Sequence, residues 1–269
     1  MQLVLMSFEE FLSSIPLDRY REELLTVKTV EQDLPKALNP LPDIYSNYWV
    51  SEVRQFPNYD EFFDNWWRDH QNQINEFKNK YFWGCSCEFV RLGFKARLYR
   101  TLISVLTQFH FSYTWLANCQ MPLYTSAEID MKGIDAVIQP KEGITIALQI
   151  KKETYRKEAR GKGVFVEKGK KAKMVIEVPY TITTPEEWHK LEEAARKEAT
   201  KKRYSLFRWL SSALQRRLSN GFIVFEPLYP RLVERYIAQR KDNLPVSDMV
   251  TVSWDALLDA IMKLADEPF

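Results

Sequence analysis

Apolar residues change their spacing along this chain, and the changes mark its elements. From Phe8 to Leu25, and again from Tyr59 to Phe82, they recur every three or four positions, the period of helices that bury one face. Residues 88–110 keep that period over a longer stretch, with Phe89, Leu92, Ala96, Tyr99, Ile103 and Leu106 as the apolar stripe. Leu34 to Pro42 reads as a proline-punctuated linker. The aromatics of residues 112–121 (SYTWLANCQM) predict the first sheet strand.

The period then shortens. Two Ile- and Val-rich runs, Ile134 to Ile138 and Ile144 to Ile150, flank a Pro140-Lys-Glu-Gly143 turn and predict two adjacent buried strands of a hairpin. Strands near Val164 to Val166 and at Met174 to Val178 follow. Thr184-Pro185-Glu186-Glu187 opens a helix, with threonine as N-cap, proline at the first position and acids in the first turn. That helix is expected to run, with a break, to about Ser219. Asn220-Gly221 ends it, and Phe222 to Phe225 is a further apolar strand. Leu232 to Gln239 and Ser253 to Ala265 are helical in pattern, with Ser253 as the last cap. The predicted architecture is α/β: a central mixed sheet flanked by helices, with a helical N-terminal layer and a small helical C-terminal extension. The boundaries expected are residues 1–84, 85–226 and 227–269.

Composition supports a folded protein. Of 269 residues 45% are hydrophobic and 14% aromatic, enough for a sizeable core. Phe62, Phe63, Trp66 and Trp67 are therefore expected to pack the helical layer, with base stacking as the other reading. The start, MQLVLMSFEEF, has six largely apolar residues and no basic leader, so a cytoplasmic protein with no membrane span is expected. Three cysteines, an odd number, argue against a disulfide framework and for free core thiols. The C-x-C spacing of Cys85 and Cys87 is poor for zinc, and His70, His110 and His189 are dispersed.

Charge is more telling in its distribution than in its sum. The net charge is +2, yet residues 1–84 carry 8 basic and 14 acidic side chains. Residues 151–173 carry 10 basic and 3 acidic. A local excess of positive charge suits a polyphosphate backbone. For a charge run alone a solvated loop is the simpler reading; what precedes this one changes the weighting.

The predicted hairpin brings Asp135, on its first strand, close to the end of the second. There Gln149 and Lys151, two residues apart, share one face. A carboxylate, an amide oxygen and an ammonium at one sheet edge can hold a hard divalent cation and place a water beside a phosphate. This chemistry points to a metal-dependent nuclease. The sequence contains no P-loop, no G-x-G-x-x-G and no G-x-S-x-G, so nucleotide hydrolysis, dinucleotide cofactors and serine-hydrolase chemistry lose support.

Asp135, Gln149 and Lys151 resemble the signature of the PD-(D/E)XK nuclease superfamily, an Asp on one strand and acidic-x-Lys on the next. The sequence departs from it in having Gln149 where an acid is usual. Asp130, five residues before Asp135, makes the block similar to that of TaqI-type restriction endonucleases. The resemblance implies a restriction-endonuclease-like core and a Mg2+ ion, for which Mn2+ can substitute, held by Asp135, Gln149, the Ile150 carbonyl and Asp130. It implies a catalytic set of Asp135, Gln149, Lys151 and Asp130. Lys151 either orients or deprotonates the attacking water, or stays charged and stabilises the transition state. Lys152, Arg156, Lys157, Arg160 and Lys162 are expected to contact double-stranded DNA, and Arg203, Arg208, Arg216 and Arg217 form either a second basic surface or a solvated helix face. Glu88 and Glu128 are further candidate ligands. The function expected is a sequence-specific type II restriction endonuclease, for which a palindromic target implies a homodimer or two successive nicks. The alternatives are a DNA repair, junction-resolving or antiphage nuclease of the same superfamily, or a DNA-binding protein whose Gln149 marks an inactive site.

Overall fold

A computed structural model of the chain describes residues 1–28, 30, 33–142, 144–153, 165–167, 170–242 and 249–267, with 165–167, 170 and 171 by backbone alone. It divides into two compact units, one of residues 1–109 with 218–222, the other of 110–217 with 223–269. The segment 85–109 thus falls in the first unit, and 227–269 in the second.

The first unit is helical. Helices α1 (Gln2–Ser14), α2 (Leu17–Leu24), α3 (Leu41–Tyr48), α4 (Tyr59–Asp69) and α5 (Gln71–Tyr81) precede the start of α6 (Cys87–Asn118). The two long helical patterns are each broken once: Pro16 separates α1 from α2, and His70 leaves helical geometry (φ −107°, ψ 17°) between α4 and α5. A capping box of Asn58 and Glu61 starts α4 by satisfying two otherwise orphan amides. Aromatic rings fill this unit: Phe62, Phe63 and Trp66 are buried, as expected of packing residues. Tyr20 and Tyr59 meet edge to face at 5.3 Å. Asn220 ties its short segment to the end of α1, donating to the carbonyls of Leu12 (2.7 Å) and Ile15 (2.9 Å).

Helix α6 corrects two expectations. Ala96 and Leu106 of the predicted stripe are buried, but Phe89 and Leu92 are exposed, and Val90, Phe94, Leu98, Val105 and Phe109 are buried instead, so only part of the stripe holds. Ser112 to Asn118 belong to this helix and not to a strand. Their β-type composition is overridden because Phe111, Tyr113, Thr114 and Trp115 are all buried, and the polar groups bond locally. The Thr114 hydroxyl donates to the His110 carbonyl at 2.7 Å, and Asn118 Nδ2 to that of Thr114 at 2.9 Å.

The second unit carries the sheet. Strands β1 (Leu123–Tyr124), β2 (Ala136–Lys141), β3 (Ile144–Lys152), β6 (Met174–Tyr180) and β9 (Val250–Val252) lie in the order β1-β2-β3-β6-β9, and a short helix α7 (Ala127–Asp130) leads into β2. The hairpin β2–β3 is antiparallel, as expected, while β3–β6 and β6–β9 are parallel, making the sheet mixed. Strands β4 (Phe165–Glu167) and β5 (Lys170–Lys171) form a separate ribbon, as do β7 (Gln215–Arg217) and β8 (Ile223–Phe225). Hence Gln215 to Ser219 is not helical and the apolar Phe222 to Phe225 run does not join the central sheet. The helix expected from Thr184 to Ser219 is instead α8 (Pro185–Ala194) and α9 (Glu198–Trp209), followed by a widened turn over Leu210–Leu214. Thr184 and Glu187 do form the expected cap.

Alternate residues of the strands face two clusters. Ile146, Leu148, Ile150, Ile176 and Val178 join the main core with α10 (Leu228–Arg240) and α11 (Trp254–Ala265). Val137, Ala147 and Val175 belong to a small second cluster with Ile134 and Ala172. Ser253 precedes α11 as expected, but its hydroxyl bonds to Asp255 and not to the helix amides. Among the described residues no helix is long and apolar enough to cross a membrane.

Candidate active site at the edge of the β2–β3 hairpin

Helix α7 and Gly133 set the entry to the site. Ser126 caps α7 by accepting from the Ile129 amide at 3.2 Å, and the chain closes on itself through the Gly133 amide to the Asp130 carbonyl at 2.7 Å. Gly133 has φ +78°, a left-handed conformation that costs glycine little and turns the chain into β2. Asp135 follows two residues on. Its amide joins the ladder to Leu148 at 3.0 Å, and its carbonyl accepts from the Thr125 hydroxyl at 2.7 Å.

The Asp135 side chain is buried, with 9% of the residue exposed. Its Oδ2 accepts the Ile150 amide at 2.5 Å. Burial above all, and then the negative charge of Asp130, raise its pKa from 3.8 to about 8, against the opposing pull of the Ile150 amide and the Lys151 ammonium. A carboxyl so placed keeps its proton to higher pH than usual, and a bound cation would favour its ionised form.

Gln149 and Lys151 share a face of β3, as the alternation predicted. Gln149 Nε2 donates to the Gly133 carbonyl at 2.7 Å, and a carbonyl partner must face the NH2 group, which leaves Oε1 as the outward acceptor. Lys151 Nζ lies 3.6 Å from Oε1 of Glu177. Glu177 was not singled out from the sequence. The signal that finds it is the parallel register, which sets Glu177 directly beside Gln149 on the neighbouring strand.

Asp130 ends α7, half-buried and close enough for its charge to act on Asp135. Among the described residues no three His, Cys, Asp or Glu side chains form a ready metal cage. The donors gathered here are oxygens of mixed type: one buried carboxylate, one amide oxygen and a second acid nearby. That set suits a hard cation that keeps several waters, as magnesium does.

Other candidates fall elsewhere. Glu128 is exposed and pairs with Lys132 at 3.5 Å, and Glu88 is exposed in the first turn of α6. Lys152 is exposed at the end of β3, whereas Arg156, Lys157, Arg160 and Lys162 lie outside the described residues. The four later arginines all have partners within the chain: Arg203 lies over the Trp254 ring, Arg208 meets Glu192, Arg216 meets Glu226 and Arg217 donates to the Ile182 carbonyl. Arg216 and Arg217 are on β7, not on a helix. The cysteines are free, but Cys87 is exposed and Cys85 and Cys119 are partly so, which corrects their placement in the core. Burial raises the Cys119 thiol well above its ordinary value.

A buried aspartate just ahead of β2 (and not within it, as expected), a lysine near the end of the next strand and a mixed sheet backed by helices make a nuclease-type core, and the chain belongs to the TaqI restriction endonuclease family, whose model matches residues 5–237. It is 46% identical over 246 residues to the type II restriction enzyme TthHB8I of Thermus thermophilus, and 44% identical over 245 to the type II restriction enzyme TaqI of Thermus aquaticus. Each alignment covers 90% of this chain and 91% of the relative. No solved structure matches the chain. The family match reaches back through the helical N-terminal unit, well beyond the hairpin that first suggested it.

Proposed function

We propose that this chain is a sequence-specific type II restriction endonuclease that hydrolyses phosphodiester bonds of double-stranded DNA at the β2–β3 edge. The observation that carries the site assignment is the Asp135 carboxylate, buried yet clasped by the Ile150 amide, one residue from Lys151. Family membership and near full-length similarity to two type II restriction enzymes support the activity.

Asp135, Gln149 through Oε1, the Ile150 carbonyl and Asp130 are the residues to hold a divalent cation, magnesium by preference and manganese as a substitute. When bound, that ion supplies Lewis acidity toward water and the phosphate. Asp135 stays fixed through the reaction because both its backbone and its Oδ2 are tied to the neighbouring strand. Gln149 is oriented by its tether to Gly133, so its oxygen needs no reorganisation. Lys151 presents an ammonium to the scissile phosphate, where it orients the attacking water or stabilises developing charge. Lys152 and the basic run that follows hold the DNA backbone, and a palindromic target is met by a homodimer or by successive nicking.

Incubation of the protein with phage DNA and Mg2+ tests this reading. Discrete fragments with uniform ends are expected, and they disappear with EDTA. Undigested DNA across a range of metals, buffers and temperatures overturns the enzymatic reading; a smear without defined ends overturns sequence specificity.

A further inference from the structure

The sequence has an amide at Gln149 where its superfamily usually has an acid, and the sheet supplies an acid next door. Strands β3 and β6 run parallel with Gln149 opposite Glu177, so Gln149, Lys151 and Glu177 share one face. Both oxygens of Glu177 are engaged. Oε1 lies 3.6 Å from Lys151 Nζ, and Oε2 accepts the amide of Trp254, the first residue of α11, at 3.3 Å. The N-terminal end of that helix carries partial positive charge, which favours a carboxylate there. The side chain is mostly buried, with 24% exposed, against 39% for Lys151.

We infer that Glu177 is the positioning residue for Lys151, a brace anchored on α11 that holds the ammonium at the edge where Asp135 and Gln149 converge. The inference rests on the nuclease reading of this site. Lysine carries four rotatable bonds and loses much rotamer freedom when fixed. A fixed partner pays that cost before substrate arrives. A misplacement of about 1 Å at a reacting centre can cost ~100-fold in rate. As a stabilising ion pair the contact is minor, since part-exposed pairs contribute little to stability. A positioning role and a structural role therefore separate: the first predicts a large effect on rate and a small one on stability, the second the reverse.

Three substitutions in the full-length protein test this. Glu177→Gln keeps the shape and an oxygen for the Trp254 amide but removes the charge facing Lys151, Glu177→Ala removes both, and Glu177→Asp restores the charge. Single-turnover cleavage at saturating DNA is measured with Mg2+, DNA affinity with Ca2+, and thermal unfolding without metal, with cleavage assayed well below each variant's midpoint. Glu177→Gln and Glu177→Ala are expected to cut roughly 10- to 100-fold more slowly, with DNA affinity within about twofold of the parent. Glu177→Asp is expected to recover part of the rate. Parental single-turnover cleavage by Glu177→Gln overturns the inference. So does a slowing that Glu177→Asp fails to relieve and that is matched by lost DNA affinity. Lys151→Ala, run alongside, separates the two levels: if it cuts at the parental rate, the site reading itself has failed, whereas an inactive Lys151→Ala beside a parental Glu177→Gln removes the brace alone.

Discussion

The Ile150 amide donates to Oδ2 of Asp135 at 2.5 Å, so an acid just ahead of β2 is held by the backbone of β3. That bond fixes the carboxylate one residue from Lys151 and makes the hairpin register part of the chemistry. A slip by one residue would turn Gln149 and Lys151 into the main core.

Asp135→Ala and Lys151→Ala should leave DNA binding in Ca2+ close to parental and lower cleavage by ~100-fold or more, the scale lost when a preorganised electrostatic group is removed. Gel shift and fragment mapping check it. Retained cutting by both variants would refute the assignment.

The raised pKa of Asp135 makes metal-free stability pH-dependent. Because the folded value is about 8 against an ordinary 3.8, the folded state holds a proton that the unfolded state releases between those values. This contribution is whole below about pH 4, falls as pH rises, and is gone above about pH 8. Denaturation midpoints in EDTA across that range should decline for the parent and decline less for Asp135→Asn. The same proton must leave when a cation binds, so metal affinity should climb toward pH 8. Identical pH slopes for parent and variant would contradict this account.

Asp130→Asn separates two effects of one charge. Without it the Asp135 carboxyl ionises more readily, and the stability slope just described should shift to lower pH. If Asp130 supplies the charge that Gln149 lacks, cleavage should nevertheless fall ~10-fold or more, since charged hydrogen-bonding groups are worth ~1.5–3 kcal/mol. Near-parental turnover would exclude that role.

Gln149→Glu installs the acid of the PD-(D/E)XK signature that this block resembles, but it cannot donate to Gly133. A carbonyl now facing a carboxylate should cost ~1–3 kcal/mol, seen as a lower unfolding midpoint without metal, while Mg2+ binding measured by calorimetry tightens. An unchanged midpoint would mean the Gln149–Gly133 bond contributes nothing.

Gln215 is buried and clamps Thr181, accepting from its amide at 3.2 Å and donating to its carbonyl at 2.6 Å. The Thr181 hydroxyl in turn accepts the Trp188 indole N–H at 3.2 Å. Gln215→Leu strands two buried backbone groups and should destabilise by ~2–4 kcal/mol, with DNA-cleavage specificity unchanged. A shift under about 0.5 kcal/mol in chemical denaturation would contradict it.

The site was legible where local pattern sufficed. The Ile- and Val-rich runs located β3 and, two residues early, β2, which takes in Pro140 and Lys141 of the expected turn, and with them the shared face of Gln149 and Lys151; Thr184-Pro185 located α8 and its cap. Local pattern failed where tertiary context decides. Ser112 to Asn118 look like a strand but belong to α6, with Ser112 to Trp115 buried and the Thr114 hydroxyl and Asn118 amide satisfied one helical turn back. Strand β9 is three residues long, too short for a periodic signal. Glu177 stayed invisible because its importance lies in a parallel register, which no contiguous stretch of sequence encodes.

Parallel partners cannot be joined by a tight turn, so β6 and β9 reach β3 only after long connections have closed. The β2–β3 hairpin can form early, while its neighbours dock late. For an enzyme that cuts DNA this is a matter of timing: a chain on which α11 has not yet docked is expected to be harmless.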